Sequence, residues 1–168
     1  WKSPNFLYTN AINPKLKLLL KNFNLSDDIA FRFSDRSNPN WPLTSDKYAA
    51  WLAEGAANDD IINLFMDYET FGEHQNASTG IFEFMRALPE AVLANTELKF
   101  CTPSEAAAMH QPVAPLHVPY AISWADEERD TSAWLGNELQ NEAFEKLYSL
   151  EKGVMAAKDG ELLADFRK

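Results

Sequence analysis

Asp67, Glu69, Glu73 and His74 fall within eight residues, in the run Met66-Asp67-Tyr68-Glu69-Thr70-Phe71-Gly72-Glu73-His74-Gln75. Carboxylates and an imidazole at that spacing can exchange protons with a substrate. Asp67 is the sharpest candidate, because apolar Met66 and Phe71 flank it and a buried acid is costly without a use or a partner. Apolar and aromatic walls raise a carboxyl pKa, so such a group can stay protonated near neutrality and act as a general acid. Glu69, Glu73 and His74 read either as solvated loop residues or as companions of that acid.

A second constellation lies at Ser123-Trp124-Ala125-Asp126-Glu127-Glu128-Arg129-Asp130 and Ser132-Ala133-Trp134-Leu135-Gly136-Asn137. One reading is a helix-capping region with a solvated acidic face and Trp134 in the core. The other is a sugar site: indole faces stack on pyranose rings, while carboxylates and Arg bind hydroxyls in forked pairs. Trp124, Asp130 and Trp134 are its candidate contacts. Trp41 and Trp51 add to the aromatic supply, although Trp51 fits an apolar helix face and reads as core. His110-Gln111-Pro112 with His74 invites a metal, but three His without an i,i+4 pair and without a Cys cluster argue against it. No metal or cofactor is assigned.

These residues need elements to position them. Residues 61–66 are nearly all apolar and suit a buried strand ending at Asp67, and open strand ends carry the active sites of parallel α/β folds. Ser26 is expected to cap a helix with Asp27 and Asp28 in its first turn, and Thr44-Ser45-Asp46 to cap a helix over residues 47–57. A third helix is expected over 78–93, with Ile81, Phe82, Met85, Leu88 and Val92 on its apolar face and Pro89 disturbing it. Residues 17–20 and 98–101 read as short strands, and Thr102-Pro103 as a further helix start. Residues 1–13 and 111–120 read as loop, and residues 131–157 as one helix with Leu135, Leu139, Ala143 and Leu147 repeating every four. The alternation implies a parallel sheet covered by helices, followed by a helical segment.

Composition narrows the function. With 15 basic and 25 acidic residues the net charge is −10, a poor match for phosphate backbones, so nucleic acid is not an expected partner. A single cysteine rules out an intramolecular disulfide, and no apolar run reaches the ~20 residues that span a bilayer. The chain opens at Trp1 and reads as an internal segment of a longer protein.

The loop Met66–Gln75 resembles the acid/base region of the α-amylase-like branch of glycoside hydrolase family 57. The stretch Ile122–Asp130 with Ser132–Asn137 resembles that branch's C-terminal conserved region. Two more stretches agree in the same order: Leu25–Ser34, and Trp41-Pro42-Leu43-Thr44 with Asp46-Lys47-Tyr48-Ala49. The resemblance implies an α/β fold, the C-terminal part of an incomplete (β/α)7 barrel over residues 1–120 leading into the start of a helical bundle over 121–168. It implies retaining cleavage or transfer of α-glucans by two carboxylates roughly 5 Å apart, with Asp67 as acid/base. Glu69, His74, Trp124, Asp130 and Trp134 become substrate-contact candidates. The family's nucleophile lies upstream of the region matching Trp1, so the segment alone is expected to be inactive. Glu54, on a helix just before Asp67, is not that nucleophile, and His110-Gln111-Pro112 is near the wrong end to be the family's histidine motif. Asn76 and Thr131 depart from the branch, which has an aromatic and a Leu there. A cytoplasmic location follows from the same resemblance. The alternatives are a non-catalytic carbohydrate-binding relative and a metal-dependent hydrolase using Asp67, Glu69 and His74.

Overall fold

Asn22 starts the first helix, α1 (Phe23–Ala30), by accepting from the Leu25 amide and meeting a donor that a helix N-terminus leaves open. Ser26, the expected cap, sits inside the helix and is fully buried. Asp27 and Asp28 therefore miss the first turn; they pair instead with Lys21 at 3.0 Å and Arg32 at 2.6 Å. The earlier start wins because it puts Ser26, Ile29 and Ala30 together on the buried face.

The computed structural model describes residues 2–168, which divide into two compact units between His117 and Val118. In the first unit, Thr44 caps α2 (Ser45–Gly55) by accepting from the Lys47 amide, as its sequence announces. Further on come α3 (Ile81–Asn95) and α4 (Pro103–Met109), the latter opened by a capping box between Thr102 and Glu105. Helices α2 and α3 pack on each other and on α1, around Ile29, Phe33, Tyr48, Leu52, Phe84 and Leu88. The Phe84 ring meets Phe33 at 5.1 Å and Tyr48 at 5.7 Å, both edge-on, the arrangement aromatic quadrupoles favour. Trp51 packs against this core, as its helix position suggested.

The buried face of α3 is Ile81, Phe84, Leu88, Ala91 and Val92, whereas Phe82 and Met85 lie outside it, more than a third exposed. Pro89 lies on the exposed side, and the helix continues through it because its neighbours Leu88 and Ala91 are anchored in the core.

The sheet is smaller and more mixed than the sequence suggested. Strand β1 (Leu7–Asn10) lies between β2 (Lys17–Leu19), antiparallel to it, and β3 (Ala114–Leu116), parallel to it. Both β1 and β3 fall where loop was expected. Pro115 is tolerated because β3 is an edge strand, where a missing N–H breaks no second ladder. Residues 98–101 form no strand: Leu98 packs on the core and the following three residues are exposed. A barrel is not formed by the described residues.

In the second unit the expected single helix is divided into α5 (Ser132–Leu135) and α6 (Glu138–Ala157), with α7 (Gly160–Phe166) after them. A Cβ at Gly136 would lie 2.3 Å from the Ser132 carbonyl, so only glycine fits that corner. Asn137 then restarts the chain with a capping box to Gln140. Of the residues in α6 only Val154 is buried. Among the described residues no helix is long and apolar enough to cross a membrane.

Tyr48 joins α2 to α1: it is fully buried and its hydroxyl donates to the Leu25 carbonyl at 2.8 Å. Burial, and then the charge of Asp28, push that hydroxyl well above its ordinary pKa. Replacing Tyr48 by Phe keeps the ring contacts and removes the bond, with an expected loss of about 1 kcal/mol in urea unfolding. An unchanged midpoint would show that the hydroxyl does not tie the two helices.

Candidate active site

The run into Asp67 is extended but is not a strand of the sheet. Alternate side chains Ile62, Leu64 and Met66 pack against the core, while Phe65 and Asp67 on the other side are exposed. Its backbone bonds go to irregular partners in place of a ladder. Ile61 donates to the Asn5 carbonyl at 3.0 Å, Asn63 accepts from the Asn22 amide at 2.8 Å, and the Phe65 amide donates to the buried Ser26 hydroxyl at 3.1 Å. The Asn63 side chain donates to the Leu20 carbonyl at 3.0 Å. These polar groups explain why the apolar run does not need a neighbouring strand to satisfy its backbone.

After Asp67 the chain winds into a tight knot. A 3-10 turn, Tyr68–Thr70, follows, with the Thr70 amide donating to the Asp67 carbonyl at 3.1 Å. The Glu69 carbonyl accepts from both Glu73 and His74, at 3.1 and 2.9 Å, and Gln75 donates to the Thr70 carbonyl at 3.0 Å. The Gly72 amide closes the loop on the Gln75 carbonyl at 3.0 Å. Gly72 has φ of 126°, a value that side chains strain to adopt, so the turn depends on glycine there.

Two residues that sequence reasoning passed over anchor this knot. Thr70 and Gln75 are buried at 2% and 3% exposure. The Gln75 side chain donates to the Ala30 carbonyl at the end of α1, at 3.1 Å, while its Oε1 is buried and meets no donor among the described residues. The available signal was their type: uncharged polar side chains between charged ones, suited to bury and bond while the acids stay out.

The acids do stay out. Asp67, Glu69, Glu73 and His74 are all exposed, so the apolar pocket expected around Asp67 is not built by the described residues. Met66 and Phe71 turn into the core beneath the loop and leave the carboxylate outside. The loop therefore holds these four residues within one backbone-closed turn, each with its side chain in solvent. Asn76, the departure noted above, caps the next 3-10 turn by accepting from the Ser78 amide and hydroxyl at 3.1 and 2.6 Å.

The second constellation belongs to the second unit. Trp124 and Trp134 are exposed, at 69% and 56%, so Trp134 is not core. The Trp124 carbonyl accepts from the Arg129 guanidinium, and the Ser123 amide donates to the Arg129 carbonyl at 2.9 Å, closing the Ser123–Arg129 turn. Hydrogen bonds from the Ser132 side chain and then its amide hold the Asp130 carboxyl below its ordinary pKa. One Asp130 oxygen, Oδ1, thus receives the Ser132 amide at 2.8 Å at the start of α5. Asp130 braces a helix start, as the capping reading expected, while both indoles face solvent. Among the described residues no three His, Cys, Asp or Glu side chains gather closely enough to hold a metal ion.

The knot gives a direct expectation. Gln75→Ala should release the loop from α1 and raise amide exchange at Gly72 and Glu73 at least about tenfold, while α6 amides keep their protection. Unchanged exchange at the loop would mean that its own backbone bonds suffice.

The sequence model of glycosyl hydrolase family 57 matches residues 1–119. A relative from Methanocaldococcus jannaschii named "Putative alpha-amylase" is 49% identical over 156 residues, which covers 92% of this chain and 32% of the relative. The chain thus spans about a third of that relative's length. No solved structure matches the chain.

Proposed function

The chain belongs to glycosyl hydrolase family 57, and on that premise we propose that it is part of a retaining hydrolase or transferase of α-glucans with Asp67 as its acid/base. The observation that carries the proposal is the place of Asp67: exposed, at the end of an extended segment, on a loop closed by its own backbone and pinned to α1. A carboxyl so placed can reach a glycosidic oxygen without losing its position.

The chemistry follows from retention. A nucleophilic carboxylate supplied by another part of the complete protein attacks the anomeric carbon, and Asp67 protonates the departing oxygen. Asp67 then takes a proton from water, or from an acceptor sugar hydroxyl in transfer, as the glycosyl intermediate is released. Glu69 and His74 serve as substrate contacts or position the acid. Trp124 and Trp134 offer stacking faces, and the exposed Asp130 carboxylate accepts from a sugar hydroxyl.

The exposed indoles also support a second reading, a carbohydrate-binding relative without catalysis. Reducing-end release from soluble starch separates the two. In the full-length protein Asp67→Asn should lower the rate roughly 10²–10⁴-fold, with binding of malto-oligosaccharides retained. A loss under about tenfold would move the acid/base role off Asp67, and a wild type that binds without turnover would favour the binder. Activity that survives prolonged chelation would set aside a metal-dependent hydrolysis through Asp67, Glu69 and His74.

A further inference from the structure

Trp41 lies outside the Asp67 loop, in the segment that leads into α2. The loop before α2 is held from several sides: the Lys47 ammonium donates to the Asn40 and Pro42 carbonyls, each at 2.9 Å. The Trp41 amide donates to the Asn38 carbonyl at 2.9 Å, and the Asn40 amide to the Asn38 side chain at 2.9 Å. The Arg36 guanidinium packs against the Trp41 ring, 5.5 Å from its centroid. The backbone that carries this indole is thus braced, while the ring remains 44% exposed. That combination suits a ring kept ready for a ligand, since the segment beneath it is already ordered.

The ring borders an open groove of about 340 Å³, within the range of small-molecule sites. Its floor includes Phe33 and Phe84, both core residues and therefore rigid. Around the rim stand Thr44, Ser45, Thr79 and Glu83. Their hydrogen-bonding capacity is mostly accepting. The Ser45 hydroxyl donates to the Phe84 carbonyl at 3.2 Å and the Thr79 hydroxyl to the Asn76 carbonyl at 2.8 Å, which leaves their oxygen lone pairs to accept. Thr44 accepts from the Lys47 amide, which leaves its hydroxyl hydrogen to donate. Glu83 is exposed and adds a carboxylate that pairs with no cation among the described residues.

We propose that this groove is a carbohydrate-binding subsite in which a glucose unit of an α-glucan stacks on Trp41 and donates its hydroxyls to Glu83, Ser45 and Thr79. The match is chemical. A pyranose offers an apolar C–H face for the indole and a rim of hydroxyl donors for the acceptors. An anionic ligand would meet the Glu83 carboxylate in a groove that no Arg or Lys lines. A purely apolar ligand would leave the rim's polar groups unmatched. The groove residues lie between residues 33 and 84, and Asp67 is not among them. The proposal deepens the α-glucan reading and rests on it.

The test uses the full-length protein in the Asp67→Asn background, so that bound oligosaccharide is not consumed. Maltoheptaose binding is measured by calorimetry, with wild-type starch hydrolysis as the control on the underlying reading. Trp41→Ala should weaken one class of binding site about tenfold, and Trp41→Phe should recover part of the loss. Glu83→Gln, an exposed substitution that leaves the core intact, should weaken the same class severalfold and so stands independently of any folding defect in Trp41→Ala. Unchanged affinity in both Trp41→Ala and Glu83→Gln, alongside normal starch hydrolysis by the wild type, would overturn the subsite and leave the enzyme reading intact. A wild type that neither hydrolyses nor binds any α-glucan would overturn the enzyme reading and the subsite with it.

Discussion

The placement of the Asp67 loop depends on α1. Positions 22, 26 and 30 are spaced by four, so they stack along one side of the helix. The Asn22 amide holds the Asn63 carbonyl, the Ser26 hydroxyl holds the Phe65 amide, and the Ala30 carbonyl holds the Gln75 side chain. The chain on both sides of Asp67 is thereby fastened to a single rigid element. Between the fastenings the loop closes on itself through backbone bonds, so the backbone that carries the exposed Asp67 carboxylate is fixed. Buried single hydrogen bonds of this sort add modestly to stability, but leaving any partner unmet would cost more. They act chiefly as register marks.

The helix α1 in turn is held by the core. Ile29 and Phe33 enter the cluster formed by α2 and α3, and Tyr48 reaches from α2 to the Leu25 carbonyl. The ion pairs of Asp27 with Lys21 and Asp28 with Arg32 sit on partly exposed ground, where pairs contribute little, so apolar packing carries the load. The second unit follows a different logic. Its helices are defined by caps at Asn137 and Asp159 more than by burial. Sequence-local bonds thus shape the second unit, while long-range packing shapes the first.

That difference explains what could be read in advance. Thr44, Thr102 and the helix of Tyr48 and Leu52 were legible because caps and apolar stripes act within a few residues. Family membership was legible too, because the motifs around Asp67 and Trp124 recur in one order along the chain. Ser26 misled because a buried serine and a capping serine look alike until its partner, Phe65, is known. The apolar run before Asp67 looked like a strand because periodicity cannot distinguish ladder bonds from bonds to Asn5, Asn22 and Ser26. Strands β1 and β3 were missed because their pairing joins residues far apart in sequence, and Pro115 suggested a loop. Thr70 and Gln75 passed unnoticed because the nearby acids drew the chemical argument, although burial belongs to the uncharged pair.

The central claim is that Asp67 supplies the proton to a leaving group and is held in place to do so. Its most direct test is the leaving-group dependence of Asp67→Asn in the full-length protein. Aryl α-glucosides or maltosides with strongly acidic phenols need no protonation to depart, whereas natural glucans do. The account predicts a large loss on malto-oligosaccharides and little loss in the first, glycosylating step on the most activated aryl substrate. Equal losses on both would contradict it, because the carboxyl would then matter for something other than the proton.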